Sequence, residues 1–170
     1  KLGVLSRMIP EWEHLRCLVL HDLYHIYTVD EHSLMGVREI ERLRNGEYAD
    51  ASPLLTQVMR EVERTELLFL GIMMHDSGKG LGGGHSEKGA KFAVDLAHRL
   101  GLNEDDAREL EFLVQNHLVM SHLAQRRDIH DDKLIREFAT LVGTTETLKR
   151  LYVLTYADMR ATGPKVWNNW

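Results

Sequence analysis

The sequence has one cysteine, three prolines, no excess of positive charge and no long hydrophobic run. A lone Cys17 cannot close a disulfide within the chain, so a fold here must rest on its hydrophobic core rather than on crosslinks. Lys and Arg number 21 against 26 Asp and Glu, a net charge of −5. A general nucleic-acid binder would carry a basic surface or a long Lys/Arg block, so no DNA partner is expected. The longest apolar stretch runs from Leu67 to Met74. A membrane-spanning helix needs about 20 such residues, so this stretch reads as a buried core segment and no membrane partner is expected. No signal-like segment with a basic start and small-residue cleavage site opens the chain, and a cytoplasmic location is the expectation. The 170 residues suit one domain, 1–170, large enough to bury its own core. The start at Lys1 and the aromatic-rich end at Trp170 raise the expectation of a domain excised from a longer chain.

What is present is helical spacing. Apolar residues recur at three- and four-residue steps and nowhere alternate with period two, which predicts an all-α bundle. Thr28 followed by Glu31 has the form of a capping box and would start a helix running towards Arg44, with His32 in its first turn and Gly46 beyond its end. Val58, Val62, Thr65, Leu68, Ile72 and Met73 predict a second helix from about Leu54 to Asp76, ahead of the glycine-rich segment Gly78 to Gly84. A third is expected from Ser86 to Gly101, and a fourth from Asn103, with Asp106 as its capping partner, to about Leu118. Asp131 caps a predicted fifth helix ending at Gly143, and Thr144 or Thr145 opens a sixth that stops before Gly163 and Pro164.

Ten histidines are present, and a few of them stand in telling places. His75 and Asp76 follow directly on the apolar run Leu67 to Met74. A carboxylate buried there unpaired would cost several kcal/mol, so the pair implies a cation, a metal or a dense set of hydrogen bonds at the helix end. Asp158 lies in line with Leu148, Leu151 and Thr155 on the predicted inward stripe of the last helix, where an acid needs a partner; an internal salt bridge to Arg160 or Lys79 is the alternative to a metal. With His32, these residues supply two imidazoles and two carboxylates, a set suited to a divalent ion with exchangeable water positions. Mn²⁺ or Mg²⁺ is favoured, and Fe, Co²⁺, Ni²⁺ and Zn²⁺ are compatible. Asp76 has two oxygens and can bridge to a second ion, for which His85, His117 and His122 are the nearest further donors. His14, His21, His25, His98 and His130 match no such pattern and read as structural or exposed.

The segment Ser77 to Gly84 lacks the Gly-Lys-Ser/Thr ending of a nucleotide-binding P-loop, so its glycines more plainly let the backbone turn beside a metal site. Lys79 within it offers a positive charge to a phosphate or to a ligand carboxylate, unless the segment is only a surface loop. Arg126 and Arg127, followed by Asp128, form a charge cluster able to hold a phosphate or an acidic surface, although exposed arginines are commoner than phosphate clamps.

These residues in this order resemble the HD phosphohydrolase superfamily. Within it, the stretches Tyr24 to His32, His75 to Gly80, Gly84 to Ala90 and Asn116 to His122 look like the HD domains of the bifunctional uridylyltransferase/uridylyl-removing enzyme family, as does Leu154 to Pro164 with Trp167 and Asn168. The resemblance covers nearly the whole chain from Arg7 onward. It implies an HD-domain helical bundle with His32, His75, Asp76 and Asp158 as metal ligands, and His85, His117 and His122 as second-metal or phosphate contacts. Ser77 departs from the aliphatic residue more usual at that place and leaves the ligands intact. The implied reaction is hydrolysis of a phosphodiester, removing UMP from a uridylyl-tyrosine of the PII signal-transduction protein in response to glutamine and 2-oxoglutarate. Catalysis would rest on Asp76, with Lys79 or His117 assisting the departing oxygen. The resemblance further implies a nucleotidyltransferase domain before this one and small-molecule-sensing ACT domains after it. Two rival readings stay open at this point: an HD phosphohydrolase acting on a free or cyclic nucleotide, and a non-catalytic module that binds metal or nucleotide without turnover.

Overall fold

The computed structural model describes residues 4–19, 27–126, 131–163 and 166–167. His21, His25, His130, Arg127 and Asp128 lie outside these residues, as does the side chain of Arg126. In chain order the elements are α1 (Val4–Met8), a 3₁₀ turn (Pro10–Leu15), α2 (Val29–Arg44), α3 (Pro53–Glu61), α4 (Thr65–Met74), α5 (His85–Arg99), α6 (Glu104–Gln115), α7 (Val119–Arg126), α8 (Asp132–Val142) and α9 (Thr145–Thr162). No strand occurs among the described residues, and the all-α expectation is met.

The apolar run sits at the centre. α4 packs against α2, α5, α6 and α9, and Leu67, Leu68, Ile72 and Met74 are fully buried, each contributing on the order of 2 kcal/mol of hydrophobic stabilisation. One side of α4 joins a core of Ile40, Leu43, Leu55, Leu113, Leu151 and Leu154. The other joins a core built from Trp12, Leu15, Ala93, Leu96, Leu110 and Val114. A helix surrounded on all sides has no polar face, which is why its sequence is apolar without periodicity.

Two glycines let neighbouring helices come close to α4. A Cβ on Gly36 of α2 would lie 2.5 Å from Cγ1 of Ile72, and one on Gly71 would lie 3.1 Å from Cδ1 of Leu154 on α9. These contacts set the site downstream. Gly36 is one turn past His32, Ile72 is three residues before His75, and Leu154 is four residues before Asp158.

The boundaries correct the sequence expectations in three places. The helix expected over Leu54 to Asp76 is two helices, broken at Val62–Arg64. Arg64 takes a left-handed φ of 49° and donates to Asp106 Oδ2 at 2.8 Å, while the Glu63 carbonyl accepts from the buried Arg150 at 2.9 Å and the Glu63 N–H donates to Glu146 at 2.7 Å. Two side chains of α9 thus satisfy the backbone groups of Glu63 that a continuous helix would have used internally, while Asp106 of α6 holds the Arg64 side chain. The helix expected to reach Leu118 ends at Gln115, and α7 follows after a turn. The Thr28 hydroxyl bonds no backbone N–H; it faces the Glu31 carboxylate at 3.5 Å, so the expected capping box is not closed. The other caps form as read. Asn103 accepts from the Asp106 N–H at 2.9 Å, Asp131 from the Lys133 N–H at 2.9 Å and Thr144 from the Thr147 N–H at 3.0 Å.

Candidate metal centre

Five elements bring polar side chains to one buried point at the end of α4. His75 is the C-cap of that helix, and its Nδ1–H donates to the carbonyl of Ile72 at 2.7 Å. His117, just past the end of α6, repeats the device: its Nδ1–H donates to the carbonyl of Val114 at 2.7 Å. Each imidazole thereby satisfies one carbonyl orphaned by its helix end. Each ring is also oriented, with its proton-bearing Nδ1 on the carbonyl and Nε2 turned to the interior, the arrangement by which backbone carbonyls orient metal-ligating histidines.

The Nε2 of His75 lies 3.1 Å from Nε2 of His32, and Asp158 Oδ1 lies 2.9 Å from His32 Nε2 and 3.5 Å from His75 Nε2. The two carboxyl oxygens of Asp76 face different ways. Oδ2 is 3.2 Å from His75 Nε2 and 3.7 Å from His32 Nε2, whereas Oδ1 is 3.9 Å from Nε2 of both His85 and His117. Two ligand groups result. In His32, His75 and Asp158, and again in Asp76, His85 and His117, one donor atom per residue lies within 4.8 Å of the others. His32, His75, Asp76 and His117 are buried, and Asp158 is 14% exposed at its side chain, which leaves an opening to solvent on its side.

The electrostatics follow from packing acids and imidazoles together out of water. Burial alone would favour neutral His75, yet the charges of Asp76 and Asp158 outweigh it and raise the ring to about 10. Burial alone would likewise raise both acids; the charge on His75 and hydrogen bonds from the neighbouring imidazoles hold Asp76 and Asp158 well below the usual carboxylate range. His117 goes the other way. Burial and the charge on His75 lower it to about 4, so it is neutral at pH 7 with Nε2 available as a donor of electrons. Burial also lowers His85, whose Nε2 is enclosed and has no hydrogen-bond partner among the described residues. Inward-facing imidazole nitrogens, two ionised acids and an enclosed imidazole nitrogen without a partner among the described residues fit a divalent cation.

The structure therefore brings together His32, His75, Asp76, His85, His117 and Asp158. Lys79 joins them, with Nζ 2.7 Å from Asp76 Oδ2. Asp158 makes its contacts with imidazoles instead of the salt bridge to Arg160 or Lys79; Arg160 instead faces Glu39 at 3.7 Å. The stripe behind Asp158 is Leu151, Leu154 and Thr155, since Leu148 is exposed. His122 is exposed on α7 and joins neither ligand group. His14, read as structural or exposed, has Nε2 at 2.8 Å from the carbonyl of Ser77 and so braces the turn after Asp76. No sequence pattern marked that contact, which spans 63 residues.

No protein-family model matches the chain. Over 168 residues it is 43% identical to the bifunctional uridylyltransferase/uridylyl-removing enzyme of Azospirillum brasilense. It is 46% identical over 170 residues to the enzyme of that name from Vibrio atlanticus (strain LGP32), and 45% over 169 residues to that from Bordetella avium (strain 197N). These alignments cover 99–100% of this chain but 18–20% of the Azospirillum and Vibrio proteins, so the chain spans about a fifth of the length of the curated relatives it matches. Along its whole length it is homologous to one segment of those enzymes.

Proposed function

From that homology we propose that the chain is a metal-dependent phosphodiesterase domain that removes uridylyl groups, acting in the cytoplasm as one part of a larger enzyme. The observation that carries the reading is the two-sided placement of Asp76, whose oxygens face two separate ligand groups. The substrate implied is uridylyl-tyrosine on the PII signal-transduction protein. Hydrolysis would join the oxygen of water to phosphorus and break the bond to the tyrosyl oxygen, releasing UMP and the unmodified protein.

Divalent cations bound here, Mn²⁺ or Mg²⁺ before Fe, Co²⁺, Ni²⁺ or Zn²⁺, supply Lewis acidity towards the phosphoryl oxygens and lower the pKa of water. His32, His75 and Asp158 would hold one, His85 and His117 a second, and Asp76 both. Lys79 has its charge beside Asp76 and is positioned to stabilise negative charge on the phosphoryl group or the departing tyrosyl oxygen. His117 is a poor candidate for proton donation, since its ring is neutral at pH 7 and its one N–H is committed to Val114. Its role is that of a ligand.

Purified protein with Mn²⁺ or Mg²⁺ should release UMP from uridylylated PII, and Asp76→Ala should abolish release. A folded, metal-loaded protein that releases none sinks the proposal.

A further inference from the structure

Residues of α7, α9 and the segment after it line a cleft of about 150 Å³, with Met120, Gln125, Tyr152, Thr155, Met159 and Trp167 among its walls. Pockets for drug-sized ligands usually run to about 300–1,000 Å³, so this one has room for a single ring with little attached. Its place is set by the ligands themselves. Met120, in the first turn of α7, is three residues beyond His117, while Thr155 and Met159 are three residues before and one after Asp158 on α9. The cleft is thus lined by chain neighbours of His117 and Asp158.

The cleft's chemistry is that of a nucleobase site. Tyr152 and Trp167 supply aromatic surface, and Met120 and Met159 supply polarisable side chains that pack well against rings. Trp167 is braced from behind, with its ring edge-to-face against Tyr156 at 5.0 Å between centroids. Tyr156 is braced in turn by Tyr48 at 5.9 Å. The polar groups at the rim are uncommitted: the Gln125 amide, the Tyr152 hydroxyl and the Trp167 indole N–H make no hydrogen bond among the described residues. An amide that both donates and accepts suits the alternating carbonyl and N–H edge of a pyrimidine.

We propose that this cleft is the base subsite of the enzyme, taking the single pyrimidine ring of a nucleoside 5′-phosphoryl ester whose phosphorus lies at the two ligand groups. Trp167 and Tyr152 hold the ring and Gln125 reads its edge. The assignment rests on the phosphodiesterase reading above and adds to it the residues that set base preference.

Two measurements test it. In calorimetric titrations of the protein, UMP should bind at least tenfold more tightly than ribose 5-phosphate, which carries the same phosphate without a base. Trp167→Ala and Gln125→Ala should remove most of that difference, and Trp167→Phe, which keeps a ring, should retain it. No binding of UMP, equal binding of the two ligands, or a preference untouched by Trp167→Ala and Gln125→Ala overturns the subsite. With Mn²⁺ present, the ratio of kcat/KM for uridine 5′-(4-nitrophenyl phosphate) over methyl 4-nitrophenyl phosphate should fall about tenfold in Trp167→Ala. If both esters are hydrolysed with no preference for uridine, the phosphodiesterase reading stands and the subsite alone is lost. If neither is hydrolysed, the phosphodiesterase reading itself fails.

Discussion

His75 shows how much a single side chain in this fold is asked to do. It ends α4, satisfies a backbone carbonyl and faces two carboxylates with the nitrogen that remains. Without a cation that nitrogen keeps a proton, because the acids raise the ring to about 10. A metal must displace it, so binding at pH 7 should release about one proton, and affinity should rise with pH up to about 10. Calorimetric titration with Mn²⁺ in buffers of different ionisation enthalpy reads that number directly; a count near zero would mean that His75 is not displaced. His117 makes the opposite demand on the ion-free protein. Its pKa in the fold is lowered from 6.5 to about 4, so its contribution is intact above pH 6.5 and is lost as pH falls towards 4. The raised His75 contributes fully below pH 6.5, with its share lost as pH rises through about 10. Thermal melts of chelated protein should therefore show a loss of stability between pH 6.5 and 4 that His117→Gln reduces.

At the scale of elements, the site depends on how closely α2 crosses α4. Gly36→Ala would drive a Cβ to 2.5 Å from Ile72 Cγ1, and Ile72 is wholly buried. Overpacking of this sort costs about 1–3 kcal/mol. Because His32 sits one turn before Gly36 and His75 three residues after Ile72, the same shift should part their Nε2 atoms, now 3.1 Å apart. The expected outcome is a lower melting temperature together with weaker Mn²⁺ binding. Ile72→Ala in the same chain should recover part of both, since it removes the atoms that the new methyl strikes. If Gly36→Ala lowers stability while affinity for Mn²⁺ is unchanged, the crossing does not set the distance between the imidazoles.

The elements also show what periodicity hides. The steps Val58, Val62, Thr65, Leu68 run through the break at Val62–Arg64 without a glycine or proline to mark it. The break is held by Arg150, Glu146 and Asp106, residues that reach it from other helices. Nothing local could have revealed it. The start of α7 was obscured in the same way, because the apolar spacing of α6 carries on past Gln115 into Leu118.

For the molecule as a whole, the ligands lie on segments far apart in sequence, from His32 on α2 to Asp158 on α9. A cation that joined them would bind the folded chain and not the unfolded one, and would so stabilise the whole bundle. At a free concentration 100 times its Kd that amounts to about 2.7 kcal/mol, or roughly 5–10 °C in melting temperature for a domain of this size. Removing metal with a chelator should lower the melting temperature by about that much, and Asp158→Asn should erase the difference between loaded and chelated protein. No helix among the described residues is long and apolar enough to cross a membrane, and the apolar run of α4 is buried in the core.

Much of this was settled locally. The helical class, the caps at Asn103, Asp131 and Thr144, and the conflict between an apolar run and the His75–Asp76 pair at its end are matters of residue type and spacing, which neighbours along the chain decide. The two faces of Asp76, the exposure of His122, the bracing of Ser77 by His14 and the approach of His32 to His75 were decided only when the helices packed. A side chain's chemistry travels with its sequence, but the direction in which it points depends on contacts across the fold, and a metal centre is made of directions.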